Sequence, residues 1–98
     1  MSFRVEFSSL VRSQVAAWKM PDVLLVEVYL RFARDLTSDP AEHLVRTDSP
    51  FDGMTYAFSI VDPNNRLHEH RFAFWILYSQ DEEKLIVTRG SHTFYTIQ

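Results

Sequence analysis

The chain has 98 residues, of which 46% are hydrophobic and 23% are charged, a mix typical of a globular domain and not of a disordered tail. Cysteine is absent, which excludes a disulfide framework and a cysteine-based zinc site. The net charge of -3 argues against nucleic-acid binding through the whole surface. No stretch approaches the ~18 apolar residues of a membrane span, and the N-terminus lacks the layout of a signal peptide. We therefore expect a single cytoplasmic domain over residues 1–98.

The chain begins with an alternating segment, Phe3 to Phe7, whose period predicts a half-buried strand. Ser8 or Ser9 then offers an N-cap, because a serine hydroxyl accepts a hydrogen bond from an otherwise unpaired amide of the first turn. Apolar residues follow at helical spacing. Since Pro21 disfavours helix at the residue before it, the pattern predicts a first helix over residues 8–19.

The next segment has β-branched residues that also favour strand, but its polar positions decide for a helix over residues 21–37. These positions recur at intervals of four, three and four, at Glu27, Arg31, Arg34 and Ser38. The predicted apolar face consists of Leu25, Val28, Tyr29, Phe32 and Leu36. Because the N-terminal half is apolar nearly all round, we expect it to be largely buried.

A predicted loop over residues 38–53, with one helical turn at 41–44, leads into three strands of period two. The strands are expected from Met54, over residues 67–78 and over residues 85–93, with turns at 62–65 and 81–82. The order β-α-α-β-β-β predicts an α+β fold, in which two helices pack on one face of a twisted, mainly antiparallel four-stranded sheet.

Three segments carry a resemblance to a known family. They read Asp39-Pro40-Ala41-Glu42-His43-Leu44, Glu69-His70-Arg71-Phe72-Ala73-Phe74 and Ser91-His92-Thr93-Phe94-Tyr95. Together with the element order, they resemble the RelE/ParE superfamily of bacterial toxins, and most closely its YoeB-like branch. Members of that superfamily are ribosome-dependent mRNA endonucleases or, in the ParE branch, gyrase inhibitors.

The resemblance implies a role for each matching residue. Glu42 corresponds to the family's base, Arg71 to its phosphate-stabilising arginine and His92 to its acid. Thr93 stands where the family has a tyrosine, and Tyr95 lies two residues further on. The implied function is a toxin that cleaves mRNA at the ribosome without metal or other cofactor and is neutralised by an antitoxin-like protein. The alternative is a catalytically inactive RelE-like binding module that engages a protein partner, which the acidic charge balance favours.

The last hairpin gives an independent argument for one cluster. A symmetric turn centred on residues 81–82 places Arg71 directly opposite His92, and opposed residues of an antiparallel ladder project from the same face. The residues that alternate with Arg71, from Phe72 to Tyr78, then carry the helices. A carboxylate, an arginine and a histidine provide the base, the positive charge and the acid that RNA cleavage by 2′-OH attack requires.

Two further residues are candidates for substrate binding, His70 and Arg89. In this register Arg89 lies opposite Phe74 on the core face, where its side chain has to extend toward water; a bulge in the strand brings it into the site instead. A competing interpretation of the histidines is a zinc site formed by His68, His70 and His43, but no fixed ligand spacing supports it.

Overall fold

The computed structural model describes residues 3–46, 53–79 and 81–97. The elements in chain order are β1 (Arg4–Phe7), α1 (Ser9–Ala17), α2 (Asp22–Leu36), a 3-10 helix (Pro40–Glu42), β2 (Val45–Arg46), β3 (Met54–Val61), β4 (His68–Ser79) and β5 (Lys84–Thr96). Within the described residues, no helix combines the length and apolar character needed to cross a bilayer. Part of the predicted loop, residues 47–52, lies outside the described residues.

The helix α1 begins at the predicted serine cap. The Ser8 hydroxyl accepts a hydrogen bond from the Val11 amide at 3.2 Å, and it also donates to the Thr88 carbonyl oxygen at 3.1 Å. One serine therefore caps the helix and ties it to β5. Val11 is fully buried against the sheet. The helix ends before Pro21, as the sequence predicts.

The helix α2 contacts the sheet through one stripe, formed by Leu24, Val28, Phe32 and Leu36. The expectation that its N-terminal half is largely buried is wrong. The helices form a single layer, so the side of α2 that points away from the sheet stays in solvent. Four large apolar side chains are exposed on this helix, at Val23, Val26, Tyr29 and Leu30.

The sheet has five strands in the order β1-β5-β4-β3-β2. The antiparallel β3-β4-β5 meander matches the prediction, but the predicted count of four is wrong. The segment Val45–Arg46 adds an edge strand that pairs antiparallel with Thr55 and Met54 of β3. At the other edge, β1 pairs parallel with β5, with Val5 beside Leu85. The helices cover one surface of this sheet, which we call the helix face.

The core lies between the helices and the helix face, and aromatic rings dominate it. Phe32 of α2 contacts Phe74, Phe58 and Tyr56 edge-on, with ring centroids 4.9 to 6.3 Å apart. The Tyr56 hydroxyl donates a hydrogen bond to the buried carboxylate of Asp35. The core thus contains one polar pair that joins α2 to β3.

Candidate functional site

Thr88 forms a β-bulge in β5. Trp75 of β4 pairs with Arg89, and the next residue, Ile76, pairs with Val87, so Thr88 is the extra residue between them. Its hydroxyl donates to the Trp75 carbonyl oxygen at 3.1 Å, and its own carbonyl accepts from Ser8. Because side chains alternate along a strand, one extra residue shifts the pairing of every residue beyond it.

The bulge separates the two central predicted residues. The predicted pairing holds between the turn and Ile76, but beyond the bulge Arg71 lies opposite Thr93 and His92 lies opposite Phe72. The predicted cluster of Arg71 with His92 is therefore wrong. His92 projects from the helix face, and Arg71 projects from the opposite surface of the sheet.

We call this opposite surface the open face; β4 contributes Glu69, Arg71, Ala73, Trp75 and Leu77 to it. On it, the Arg71 guanidinium lies 4.6 Å from the centre of the Tyr95 ring. The Arg71 Nε donates a hydrogen bond to Glu69 Oε1 at 3.2 Å. Glu69 and Tyr95 are direct partners across the two strands. These three residues form the open-face cluster.

The carboxylate of this cluster is ionised at neutral pH. Hydrogen bonds from Ser59 and then from Arg71 hold the pKa of Glu69 below its usual range, because both donors favour the charged form. Ser59 lies opposite Arg71 on β3, so three strands contribute to the same patch. The arrangement offers a proton acceptor and a cation side by side on an accessible surface.

A second arginine stacks on a ring of the open face. The Arg89 guanidinium lies 5.2 Å from the centre of the Trp75 ring. The expectation that Arg89 lies opposite Phe74 on the core face is wrong, since the bulge turns it to face Trp75. Small side chains, Ala73 on β4 and Ala57 on β3, are paired beside these stacks. The open face therefore presents two rings and two guanidinium groups beside the small side chains of Ala57 and Ala73.

Glu42 is not brought to either arginine or to the histidines. It ends the short Pro40–Glu42 helix and is exposed. None of the hydrogen bonds or ion pairs among the described residues joins it to Arg71, Tyr95 or His92. The carboxylate that does contact Arg71 belongs to Glu69.

On the helix face, three side chains form a continuous hydrogen-bonded chain. Asp62 Oδ2 lies 2.8 Å from His70 Nε2, and His70 Nδ1 lies 2.9 Å from His92 Nε2. The Asp62 carboxylate is oriented by the amides of Asn64 and Asn65, which donate to its Oδ1. The turn after β3 thus positions the Asp62 carboxylate against His70 of β4, whose ring is stacked with that of His92 of β5. We call these three residues the histidine chain.

Burial differs along the histidine chain. The hydrogen bond from His70, followed by the amide of Asn64, lowers the pKa of Asp62. Burial, and then the charge on His70, lowers the pKa of His92, so this ring is neutral through the neutral pH range. His70 is buried, and both of its ring nitrogens are occupied. His70 lies between Asp62 and His92, and its expected contact with substrate stays a prediction.

Aromatic rings pack against both histidines of the histidine chain. The ring centroid of Trp18, the residue that follows α1, lies 5.4 Å from that of His92, and the Phe94 centroid lies 4.9 Å from that of His70. His68 packs edge-on against Phe94. Across the described part of the chain, no group of three His, Asp or Glu side chains is arranged as metal ligands.

No family model, no curated protein and no solved structure matches the chain. Sequence reasoning missed Asp62, Glu69 and Trp75 as members of candidate sites. The sequence pattern assigns Asp62 to a predicted turn, and its position before Pro63 and two asparagines is typical of a carboxylate that binds turn amides. Glu69 and Trp75 share the period of Arg71 along β4, which was the available signal.

Proposed function

We propose that this chain binds single-stranded RNA on the open face and cleaves it without a metal ion. The observation that carries the proposal is the open-face cluster, in which Glu69, Arg71 and Tyr95 combine a carboxylate, a guanidinium and a ring on a surface that neither of the two described α-helices covers. Arginine suits a phosphate because its planar group presents several donors to the phosphate oxygens. Aromatic rings bind successive bases by stacking, which is tolerant of sequence.

The proposed reaction is an attack of the ribose 2′-hydroxyl on the adjacent phosphorus. Glu69 accepts the hydroxyl proton, the new O2′–P bond forms, and the bond from phosphorus to the leaving 5′-oxygen breaks. Arg71 stabilises the charge that develops on the phosphate oxygens. The leaving oxygen takes a proton from solvent, which reaches this open surface. The products are a 2′,3′-cyclic phosphate and a 5′-hydroxyl end.

The residues around the cluster support RNA over a smaller substrate. Trp75 and Arg89 extend the surface of rings and cations along the strands beyond Arg71. Such a surface follows a chain of nucleotides better than an isolated phosphate.

The biological setting that we propose follows from the resemblance to the RelE/ParE superfamily. We infer a cytoplasmic toxin that acts on mRNA at the ribosome and is neutralised by an antitoxin-like protein. The reassigned cluster departs from the family pattern in two ways. The base is Glu69 instead of Glu42, and His92 does not act on the same phosphate as Arg71, since the sheet lies between them.

The test is induced expression in a bacterial host, with growth and mRNA integrity measured for the unchanged chain and three variants. Arg71→Ala and Glu69→Gln are expected to relieve growth arrest and to lower mRNA cleavage on the order of 100-fold, the effect of losing one transition-state stabiliser. Arg4→Ala is the matched control, because Arg4 is an exposed arginine on the open side of β1, away from the cluster. It is expected to retain full arrest. Equal arrest by all four proteins would contradict the open-face assignment.

The second candidate function is a catalytically inactive binding module. The exposed apolar stripe on α2, formed by Val23, Val26 and Leu30, favours it, because each side chain is more than half exposed. The expected partner is an antitoxin-like protein that covers this stripe with an apolar helix. Absence of arrest and of RNA cleavage from folded protein, with binding that Leu30→Asp abolishes, would favour this function over the nuclease.

A further inference from the structure

We propose that the histidine chain is a second chemical site, an acid–base relay whose outlet is Nδ1 of His92 and whose substrate carries a planar ring. This inference does not rest on the proposed RNA cleavage, because His92 and the open-face cluster lie on opposite faces of the sheet.

The hydrogen bonds fix the protons in the neutral state. The Asp62 carboxylate only accepts, so His70 Nε2 carries a hydrogen and donates it. A neutral His70 then has a lone pair on Nδ1, which accepts from Nε2–H of His92. The remaining nitrogen of a neutral His92, Nδ1, is left as the base.

One added proton is accommodated without breaking the chain. It enters at His92 Nδ1, and a shift of the hydrogen between the two rings moves the positive charge to His70, beside Asp62. A second proton is opposed, because two cationic rings would direct N–H groups at each other across 2.9 Å. The relay therefore stores a single proton, with its charge next to a carboxylate and its exchange point at the surface.

The outlet is accessible to solvent. Among the described residues, every buried side-chain nitrogen or oxygen has a hydrogen-bond partner. His92 Nδ1 has no such partner, and it is therefore not buried. Burial lowers the pKa of His92, so that the Nδ1 lone pair is free at pH 7. His92 Nε2 is held by its hydrogen bond to His70, and His92 Nδ1 is left without a partner. A general base in a catalytic triad has the same arrangement, with one ring nitrogen oriented and the other facing the substrate.

The surroundings of the outlet are aromatic. Trp18, which follows α1, and Phe72 of β4 pack against the His92 ring without bringing a charge. The titratable group that β4 places against this ring is His70, which is itself bonded to Asp62. The two neighbours of His92 in β5, Ser91 and Thr93, alternate to the open face. Neither supplies a nucleophile beside the relay, so a planar substrate stacks beside Trp18 and either the substrate, water or the imidazole itself provides the attacking atom.

The first experiment measures hydrolysis of 4-nitrophenyl acetate at pH 7. In this assay Nδ1 attacks the acetyl carbonyl, the bond to 4-nitrophenolate breaks, and water hydrolyses the acetyl-imidazole to acetate with release of a proton. His92→Ala is expected to lower the rate on the order of 100-fold, the lower end of the range for one catalytic imidazole. His43→Ala is the matched control and is expected to retain the rate. His43 is not part of the histidine chain, since it directly follows the Pro40–Glu42 helix. Equal loss in both variants, or loss in neither, would overturn the proposal.

The second experiment separates a relay from a merely structural contact. Asp62→Asn keeps an oxygen that accepts from His70 but removes the charge, so it is expected to shift the pH profile of ester hydrolysis. Nitrogen-detected NMR titration of the unchanged protein covers the case in which variants fold poorly. We expect one proton to be taken up by the pair and to change the signals of both rings together. Independent titration of His70 and His92 as two separate rings would contradict the relay.

Discussion

Gly90 provides the sharpest test of the bulged register. The bulge at Thr88 places residue 90 on the helix face, directly beneath Trp18 and beside Phe74. A methyl group at this position would lie 2.9 Å from Phe74 Cε1, 3.0 Å from Phe74 Cδ1 and 3.1 Å from Trp18 Cη2. These contacts are shorter than carbon atoms tolerate, and Phe74 is a fully buried ring with little room to move. Gly90→Ala is therefore expected to cost about 1–3 kcal/mol of the free energy of unfolding, the range for overpacking a core.

The measurement is equilibrium unfolding in urea, followed by far-ultraviolet circular dichroism. Ser91→Ala is the control, because Ser91 is the exposed neighbour on the open face, and its effect is expected to stay within about 0.5 kcal/mol. Gly90→Ala with unchanged stability would refute the packing of Trp18 over residue 90. It would also count against the bulged register that places His92 on the helix face.

Three further predictions concern hydrogen bonds and pH. Thr88→Val removes the hydroxyl that donates to the Trp75 carbonyl and is expected to cost about 1 kcal/mol in the same urea assay; an unchanged or increased stability would count against the bulge. Tyr56→Phe leaves the buried Asp35 carboxylate without one donor and is expected to cost about 1–3 kcal/mol. Hydrogen bonds, chiefly from Arg34 and then from Tyr56, lower the pKa of Asp35 although burial opposes them. The ionised carboxylate therefore stabilises the fold above pH ~4, and this stabilisation is lost as the pH falls through the folded pKa. An unaltered loss of stability at acidic pH in Tyr56→Phe would contradict this. The pKa of His92 is also lowered, so the unfolded chain binds more protons and stability falls as the pH drops below about 6.5; His92→Gln is expected to flatten this slope, measured as Tm against pH.

Periodicity predicted most of the fold. The spacing of Glu27, Arg31 and Arg34 identified α2 despite its valines, because a solvated stripe at helical spacing does not depend on residue preference. The two-residue strand at Val45–Arg46 was missed, since two residues carry no period. The exposure of α2 was also missed, because an apolar sequence does not reveal how many layers pack around it.

Arg71 and Tyr95 were both candidate residues, but their shared face follows only from the bulge. In the observed register Arg71 pairs with Thr93, and alternation places Tyr95, two residues beyond Thr93, on the same face as Arg71. Their separation from His92 was not predictable from local sequence, because Thr88 is an ordinary strand residue and its bulge is stabilised by Ser8, far away along the chain. The histidine chain depends likewise on the turn that brings Asp62 to His70, which is a tertiary contact.

The central claim, that RNA binds the open face, is tested most directly through the two tryptophans. Trp75 lies on the open face beside Arg89, and Trp18 lies on the helix side beside His92. The measurement is a proton–nitrogen NMR titration of the two indole N–H signals with a short single-stranded RNA in which 2′-methoxy groups prevent cleavage. The account predicts that the Trp75 signal shifts with saturation while the Trp18 signal stays in place. A shift of Trp18 alone, or of neither signal at RNA concentrations that saturate binding, would contradict it.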